Sequence, residues 1–253
     1  MRRGLFFLVA SIALLAGSSS IGSAAISPCG TAGSKFAGAS PTGIVTYGAK
    51  ADISLQDPAL CDAATGSPST SSAWTMLVED TPNYYLAQTG YIHAGSNWTY
   101  AGSDGNGNPV TYQGYHYSVF TEWTPTVGVG DVVQFFAAPP PSNTNYQTGY
   151  SFNDHRINMW QGTTQLTHTN YDPSGVWQTP WEPQFYGETH HCESDVPGTS
   201  SAHVTFSHIE KKSSDGTWSS ITTSTFNRYT DCTDRYNTQW DTKPHSFDIW
   251  TGP

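Results

Sequence analysis

Three short stretches set ionisable or amide side chains at every second position among aromatic residues. In Gln184-Phe185-Tyr186-Gly187-Glu188-Thr189-His190, strand alternation puts Gln184, Tyr186, Glu188 and His190 on one face. A carboxyl in such company loses solvation, which raises its pKa and suits it to take and return a proton. In Tyr84-Tyr85-Leu86-Ala87-Gln88-Thr89-Gly90-Tyr91, the same alternation groups Gln88 with Tyr84 and Leu86. An amide on an apolar face is an unusual placement unless it has a hydrogen-bonding partner. In Tyr115–Pro125, His116, Ser118, Phe120 and Glu122 share one face, while Tyr117, Val119 and Trp123 take the other. Taken singly, each of these residues also fits the solvated face of a sandwich strand.

The densest gathering of metal-ligand types is His190-His191-Cys192-Glu193 with Asp195. Adjacent histidines in a strand point to opposite faces and do not readily share an ion. Neither HExxH nor CxxC spacing occurs, and His93, His116, His155, His203 and His208 are scattered with no Ser-His-Asp order. The expectation is chemistry without a metal or other cofactor. Asn97-Trp98-Thr99 forms a glycosylation sequon.

Composition limits the elements that hold these residues. Among 253 residues, Lys+Arg number 10 and Asp+Glu 20, a formal net charge of −10, and charged residues make up 12%. A nucleic-acid-binding face would need the opposite sign to displace counterions from phosphates. The helix-forming runs of a coiled coil or helical bundle are missing. Aromatic residues at 13% exclude a chain that buries nothing. What remains is a β-rich, polar, extracellular domain.

Met1-Arg2-Arg3-Gly4, an apolar stretch and the small residues Ser23-Ala24-Ala25 have the layout of a secretory signal over 1–25. No later segment is apolar enough to span a membrane, so a secreted protein with no membrane contact after cleavage is expected. An even count of cysteines in a secreted chain suggests disulfides. Of three connectivities, Cys29–Cys61 with Cys192–Cys232 closes the shortest loops and is preferred. Residues 26–70, rich in small residues, read as an extended N-terminal segment, and 71–253 as the sandwich domain. Strands are expected at Ser72–Val78, Tyr84–His93, Tyr115–Trp123, Asp131–Ala137, Arg156–Trp160, Gln184–His190, Ala202–Ile209, Trp218–Phe226 and Ser246–Trp250. Turn formers separate them at residues 104–107, 128–130, 139–141, 172–173 and 215–216. This spacing predicts an all-β sandwich of jelly-roll, concanavalin A-like type.

The order AWTMLV, LAQTG, YHYSVFTEW-P, a strand opened by Gly-Asp, and a Glu within an aromatic strand resembles the glutamic peptidases, chiefly their eqolisin branch. The Gly-Glu dipeptide is similar to the neprosin branch. The resemblance implies Gln88 and Glu188 as the catalytic pair, and Trp74, Glu122 and Trp123 along the substrate cleft. It implies hydrolysis of peptide bonds in polypeptide substrates by a monomer in acid. Glu188 would take a proton from the attacking water, and the Gln88 amide would donate to the developing oxyanion. A secreted carbohydrate-binding module stays open as the rival class, since sandwiches also bind sugars through platforms such as Trp98, Trp160 or Trp240.

Overall fold

Side chains that alternate from one side of a strand to the other let each strand bury one row and present the next. This chain does so in two sheets packed face to face. The computed structural model describes residues 28–62, 69–79, 85–95, 100–103, 108–112, 114–123, 132–137, 145–151, 156–161, 163–170, 181–222, 225–241 and 245–253. The expected signal at 1–25, the sequon at 97–99 and the turns at 104–107, 128–130, 139–141 and 172–173 lie outside the described residues or largely so.

The first sheet runs from edge to edge as β16 (Phe226–Thr230), β1 (Lys35–Pro41), β12 (Glu182–Thr189), β3 (Thr70–Glu79), β4 (Tyr85–Ala94), β7 (Gly114–Trp123), β8 (Val132–Ala137), β5 (Tyr100–Ser103) and β6 (Pro109–Tyr112). The second runs β11 (Thr164–Asn170), β10 (Arg156–Gln161), β9 (Asn145–Ser151), β2 (Gly48–Ser54), β14 (Ala202–Lys212), β13 (Gly198–Thr199), β18 (Phe247–Thr251) and β17 (Tyr236–Trp240). A short β15 (Trp218–Ser220) pairs with β14. Nearly all pairings are antiparallel, and no α-helix occurs among the described residues. The all-β sandwich expected from the strand spacing is the fold observed.

Ala37, Ala39, Ala73, Leu77, Ala87, Tyr91 and Phe185 of the first sheet meet Ile53, Val204, Phe206, Phe247 and Ile249 of the second in one core. Phe206 and Phe247 stack with ring centroids 4.8 Å apart. Small residues on one sheet make room for these rings. Gly187 is one such case next to Glu188, because a β-carbon there would stand 2.5 Å from Ile249 Cδ1.

Residues 35–54 supply β1 to the first sheet and β2 to the second, so the sandwich recruits the segment ahead of position 71. The stretch 218–226 divides where the chain leaves β15 of the second sheet and enters β16 at the edge of the first. In β14 a register shift falls between Ser207 and Glu210, where His208 has a φ of 49°. The extra residue resets the alternation, and both Phe206 and Ile209 reach the core. The turn at Asp215-Gly216 closes the β14–β15 hairpin, with Gly216 at φ 88° and Thr217 N donating to Asp215 Oδ1 at 2.9 Å.

Both disulfides form with the preferred connectivity, Cys29–Cys61 and Cys192–Cys232. The second ties the end of β12 to the chain leaving β16. Cys232 holds a left-handed backbone with φ 47°, which costs a non-glycine residue about 1 kcal/mol. Cys192→Ala/Cys232→Ala should lower the unfolding free energy in urea by up to about 4 kcal/mol. Cys192→Ala/Cys232→Gly should lose about 1 kcal/mol less, because glycine relieves that backbone. Equal losses from the two variants would contradict the strain assigned to Cys232.

Candidate active site

Glu188 owes its place to strand β12 being paired on both sides. Phe36 of β1 stands opposite Glu188, and Ser72 of β3 stands opposite it on the other flank. Phe185 and Thr189 of β12 are fully buried against the second sheet. Tyr186 and Glu188 alternate to the outer face, as the sequence pattern predicts. There Trp74, Met76, Val78, Leu86 and Tyr186, with Phe36 against them, form a second apolar cluster separate from the main core. Ring centroids lie 5.5 Å apart for Trp74–Tyr186, 6.0 Å for Phe36–Tyr186 and 6.4 Å for Phe36–Trp74. Gly90, opposite Trp74 on β4, leaves the floor bare on the far side of the indole.

The Glu188 carboxylate sits at the edge of these rings, half-buried. Burial raises its pKa above the ordinary carboxylate value, and hydrogen bonds from Ser34 and Trp74 oppose the shift in part. Trp74 Nε1 donates to Glu188 Oε2 at 3.0 Å. The indole therefore orients the carboxylate, a contact beyond the cleft-lining part that the resemblance implies for Trp74. Tyr186 Oη reaches Ser40 Oγ at 3.4 Å, and burial pushes its own pKa up.

Gln88 lies on the same outer face. The registers run Gln184 to Met76 to Gln88, and Glu188 to Ser72, so all five residues fall on one side of the sheet. Gln88 and Gln184 are half-exposed, and among the described residues neither amide has a hydrogen-bond partner. Two strand spacings and four residues separate Gln88 from Glu188, about 16 Å between backbones over a flat sheet. Their side chains thus bracket a stretch of floor made by Ser72, Trp74 and Met76. Glu122 pairs with Leu86 and occupies a register position in the row set of Gln88, whereas Trp123 pairs with Tyr85 in the alternate set. The side chains of Glu122 and Trp123 lie outside the described residues.

The cluster that follows β12 is engaged in structural contacts. Glu193 Oε2 accepts from Gly30 N at 2.9 Å, which holds its pKa down, and Arg235 Nη2 donates to Asp195 Oδ1 at 2.6 Å. Burial, then the neighbouring His191, lowers the pKa of His190. Cys29, Cys61 and His191 bring potential ligand atoms within 4.8 Å of one another. The two sulfurs are joined in a disulfide and offer no thiolate to an ion.

Sequence reasoning placed Gln184 on this face without a role, and it missed Ser34, Phe36 and Ser40. Their signal is the alternation in Phe36-Ala37-Gly38-Ala39-Ser40, whose inner positions are alanines too small to read as a strand core.

No protein-family model matches this chain, and no curated protein sequence does. Among solved structures it is similar to scytalido-glutamic peptidase determined with a transition-state-analogue inhibitor. That match has a TM-score of 0.53 at 16% identity and covers 88% of this chain and 100% of the other. A second similar structure is SCP-B, a member of the eqolisin family of peptidases in complex with the tripeptide Ala-Ile-His. It has a TM-score of 0.48 at 12% identity over 88% of this chain and 100% of that one. At 16% identity the likeness is one of architecture, and this chain has the β-sandwich fold of a glutamic peptidase.

Proposed function

We propose that this protein is a secreted glutamic-type endopeptidase that acts in acid, with Glu188 as proton acceptor and donor and Gln88 as oxyanion donor. The observation that carries the reading is Glu188 itself. It is a half-buried carboxylate with a raised pKa, oriented by an indole N–H on the outer face of a peptidase-like sandwich. The Gln88 amide on the same face, which has no hydrogen-bond partner among the described residues, supports the second role. Two disulfides are in keeping with an oxidising, extracellular setting.

In the ionised state Glu188 accepts a proton from a water molecule whose oxygen attacks the peptide carbonyl carbon. The carbonyl electron pair moves to oxygen, and the Gln88 NH₂ donates a hydrogen bond to that oxyanion without changing its own charge. Glu188, now neutral, returns the proton to the amide nitrogen as the C–N bond breaks, leaving a carboxylic acid and an amine. The β12–β3–β4 registers set the two backbones about 16 Å apart over a flat sheet, so both heads serve one carbonyl only where peptide binding draws them together along that diagonal. None of these steps calls for a metal. Activity that survives a chelator is the expected result, whereas loss with chelator and recovery with zinc would move the chemistry elsewhere.

Glu188→Gln tests the assignment in two independent ways. Turnover of an unfolded protein substrate should fall by at least about 10²-fold, since the proton acceptor is gone. Stability should move in the opposite direction. A carboxyl whose folded pKa is raised costs stability while it is ionised, and the cost fades as pH falls through that raised value. Thermal unfolding should therefore show Glu188→Gln more stable than the parent near neutral pH, with the gain vanishing in acid. A variant that cleaves as well as the parent would sink the peptidase reading.

Gln88→Ala should reduce turnover by roughly 10²–10³, as for loss of one oxyanion donor, with circular dichroism confirming the fold. If the parent cleaves nothing at any pH but retains a sugar on a glycan array, the carbohydrate-binding alternative takes its place.

A further inference from the structure

The aromatic cluster beside Glu188 does not stop at Tyr186. A β-carbon at Gly38 would stand 2.5 Å from Tyr186 Cδ1, so the Tyr186 ring leans over Gly38 and across β1. On the far side of Gly38, in register with it, stands Tyr229 of the edge strand β16. The two tyrosine rings meet edge-on with centroids 6.5 Å apart. The pairings Trp74–Tyr186, Tyr186–Gly38 and Gly38–Tyr229 place these rings in one row across the outer face.

Exposure changes along that row. Trp74 and Tyr186 are buried, whereas Tyr229 is 51% exposed and, with Val45, is one of two large apolar side chains left to solvent among the described residues. The exposed ring is nevertheless held. Tyr229 Oη donates to Asp231 Oδ1 at 2.9 Å, and Asp231 Oδ2 accepts from Phe36 N at 2.9 Å. Asp231 N in turn donates to Phe36 O at 2.8 Å. The neighbouring Arg228 turns to the other side, where its Nη1 donates to Thr238 O at 3.1 Å. A side chain laid on a ring already fixed at its hydroxyl end gains apolar contact without the cost of ordering that ring.

Position then selects the occupant. Tyr229 lies two strand spacings and two residues from Glu188, about 12 Å between backbones over a flat sheet, on the side away from Gln88. An extended chain at about 3.3 Å per residue covers that span in roughly three or four residues. We infer that Tyr229 is a substrate-binding residue, which takes a bulky aromatic or aliphatic side chain of the polypeptide about three or four positions from the scissile bond. Its substrate rests on the peptidase reading, and its place rests on the aromatic row. A sugar ring fits this spot less well. Its hydroxyls need polar partners around the aromatic ring, and both oxygens of Asp231 are already engaged by Tyr229 and Phe36.

Cleavage-site profiling on a library of unfolded peptides reads this preference directly. The parent should enrich Phe, Tyr, Trp or Leu about three or four positions from the cut, on one side of it. For peptides that differ only there, the ratio of kcat/KM for Phe over Gly should fall by about tenfold in Tyr229→Ala, through KM. Tyr229→Phe, which retains the ring, should keep the ratio. Tyr229 is exposed, so both variants are expected to fold, and circular dichroism checks this. A flat profile at that position overturns the inference and leaves the peptidase reading standing. So does a ratio that stays put in folded Tyr229→Ala, or one that falls equally in Val45→Ala. Binding separates the two readings. In Glu188→Gln with ring-labelled tyrosine, the Tyr229 NMR signal, assigned by its loss in Tyr229→Phe, should shift with the Phe peptide and not with the Gly peptide. A shift of this kind in a protein whose parent cleaves nothing upholds the Tyr229 platform and overturns the peptidase reading alone. A shift with an oligosaccharide but with neither peptide overturns the inference.

Discussion

The register of β12 between β1 and β3 is the constraint on which the candidate site depends. Eight successive pairings to β3 and five to β1 fix which residues of β12 look inward. A slip of one residue would send Glu188 into the core against Ile249 and push Phe185 into water. Neither could be tolerated, because the inner row is packed to contact and the outer row carries a charge. The apolar inner row therefore enforces the exposure of a carboxylate it never touches. Gly187 belongs to that arrangement, since a β-carbon there would press on Ile249 Cδ1 and force it to shift.

On the outer face the same strands build a smaller cluster whose purpose is different. Phe36, Trp74 and Tyr186 surround Glu188 with rings rather than with charge. They withdraw water from the carboxyl and so raise its proton affinity, while the Trp74 N–H keeps it aligned. Neutral donors do this without the strong downward pull that an arginine or lysine would exert. A site tuned by desolvation carries a cost in folding free energy at any pH where the carboxyl is ionised. The two disulfides and the interleaved aromatic core offset it.

Much of this was legible in the sequence, for reasons that also explain what was not. Strands β3, β4, β7 and β12 alternate large side chains with a strict period of two, so their faces and their candidate residues could be read directly. Strands β1 and β2 hide because most of their inner positions are alanine, Ala37, Ala39, Ala49 and Ala51, too small to signal a strand core. Phe36 was hidden with them, since its place opposite Glu188 depends on pairing with residues far along the chain. The stretch 202–209 read as one strand, but the extra residue at His208 that lets it continue to Lys212 leaves no mark in composition. The division of 218–226 reflects a change of sheet, which local pattern cannot encode. Cysteine pairing came out correctly from loop length alone.

The position of β1 has a consequence for how the molecule is made. Emerging first from the ribosome among the described strands, β1 has partners in β12 and β16, more than a hundred residues later in the chain. Strand β2 likewise waits for distant neighbours, β9 and β14. Neither strand can be satisfied until the C-terminal half exists, so folding waits on chain completion and carries the large loop-closure entropy of non-local pairing. The wall that holds Glu188 is therefore among the last features to form, and a nascent or truncated chain would carry every residue of the site without assembling it.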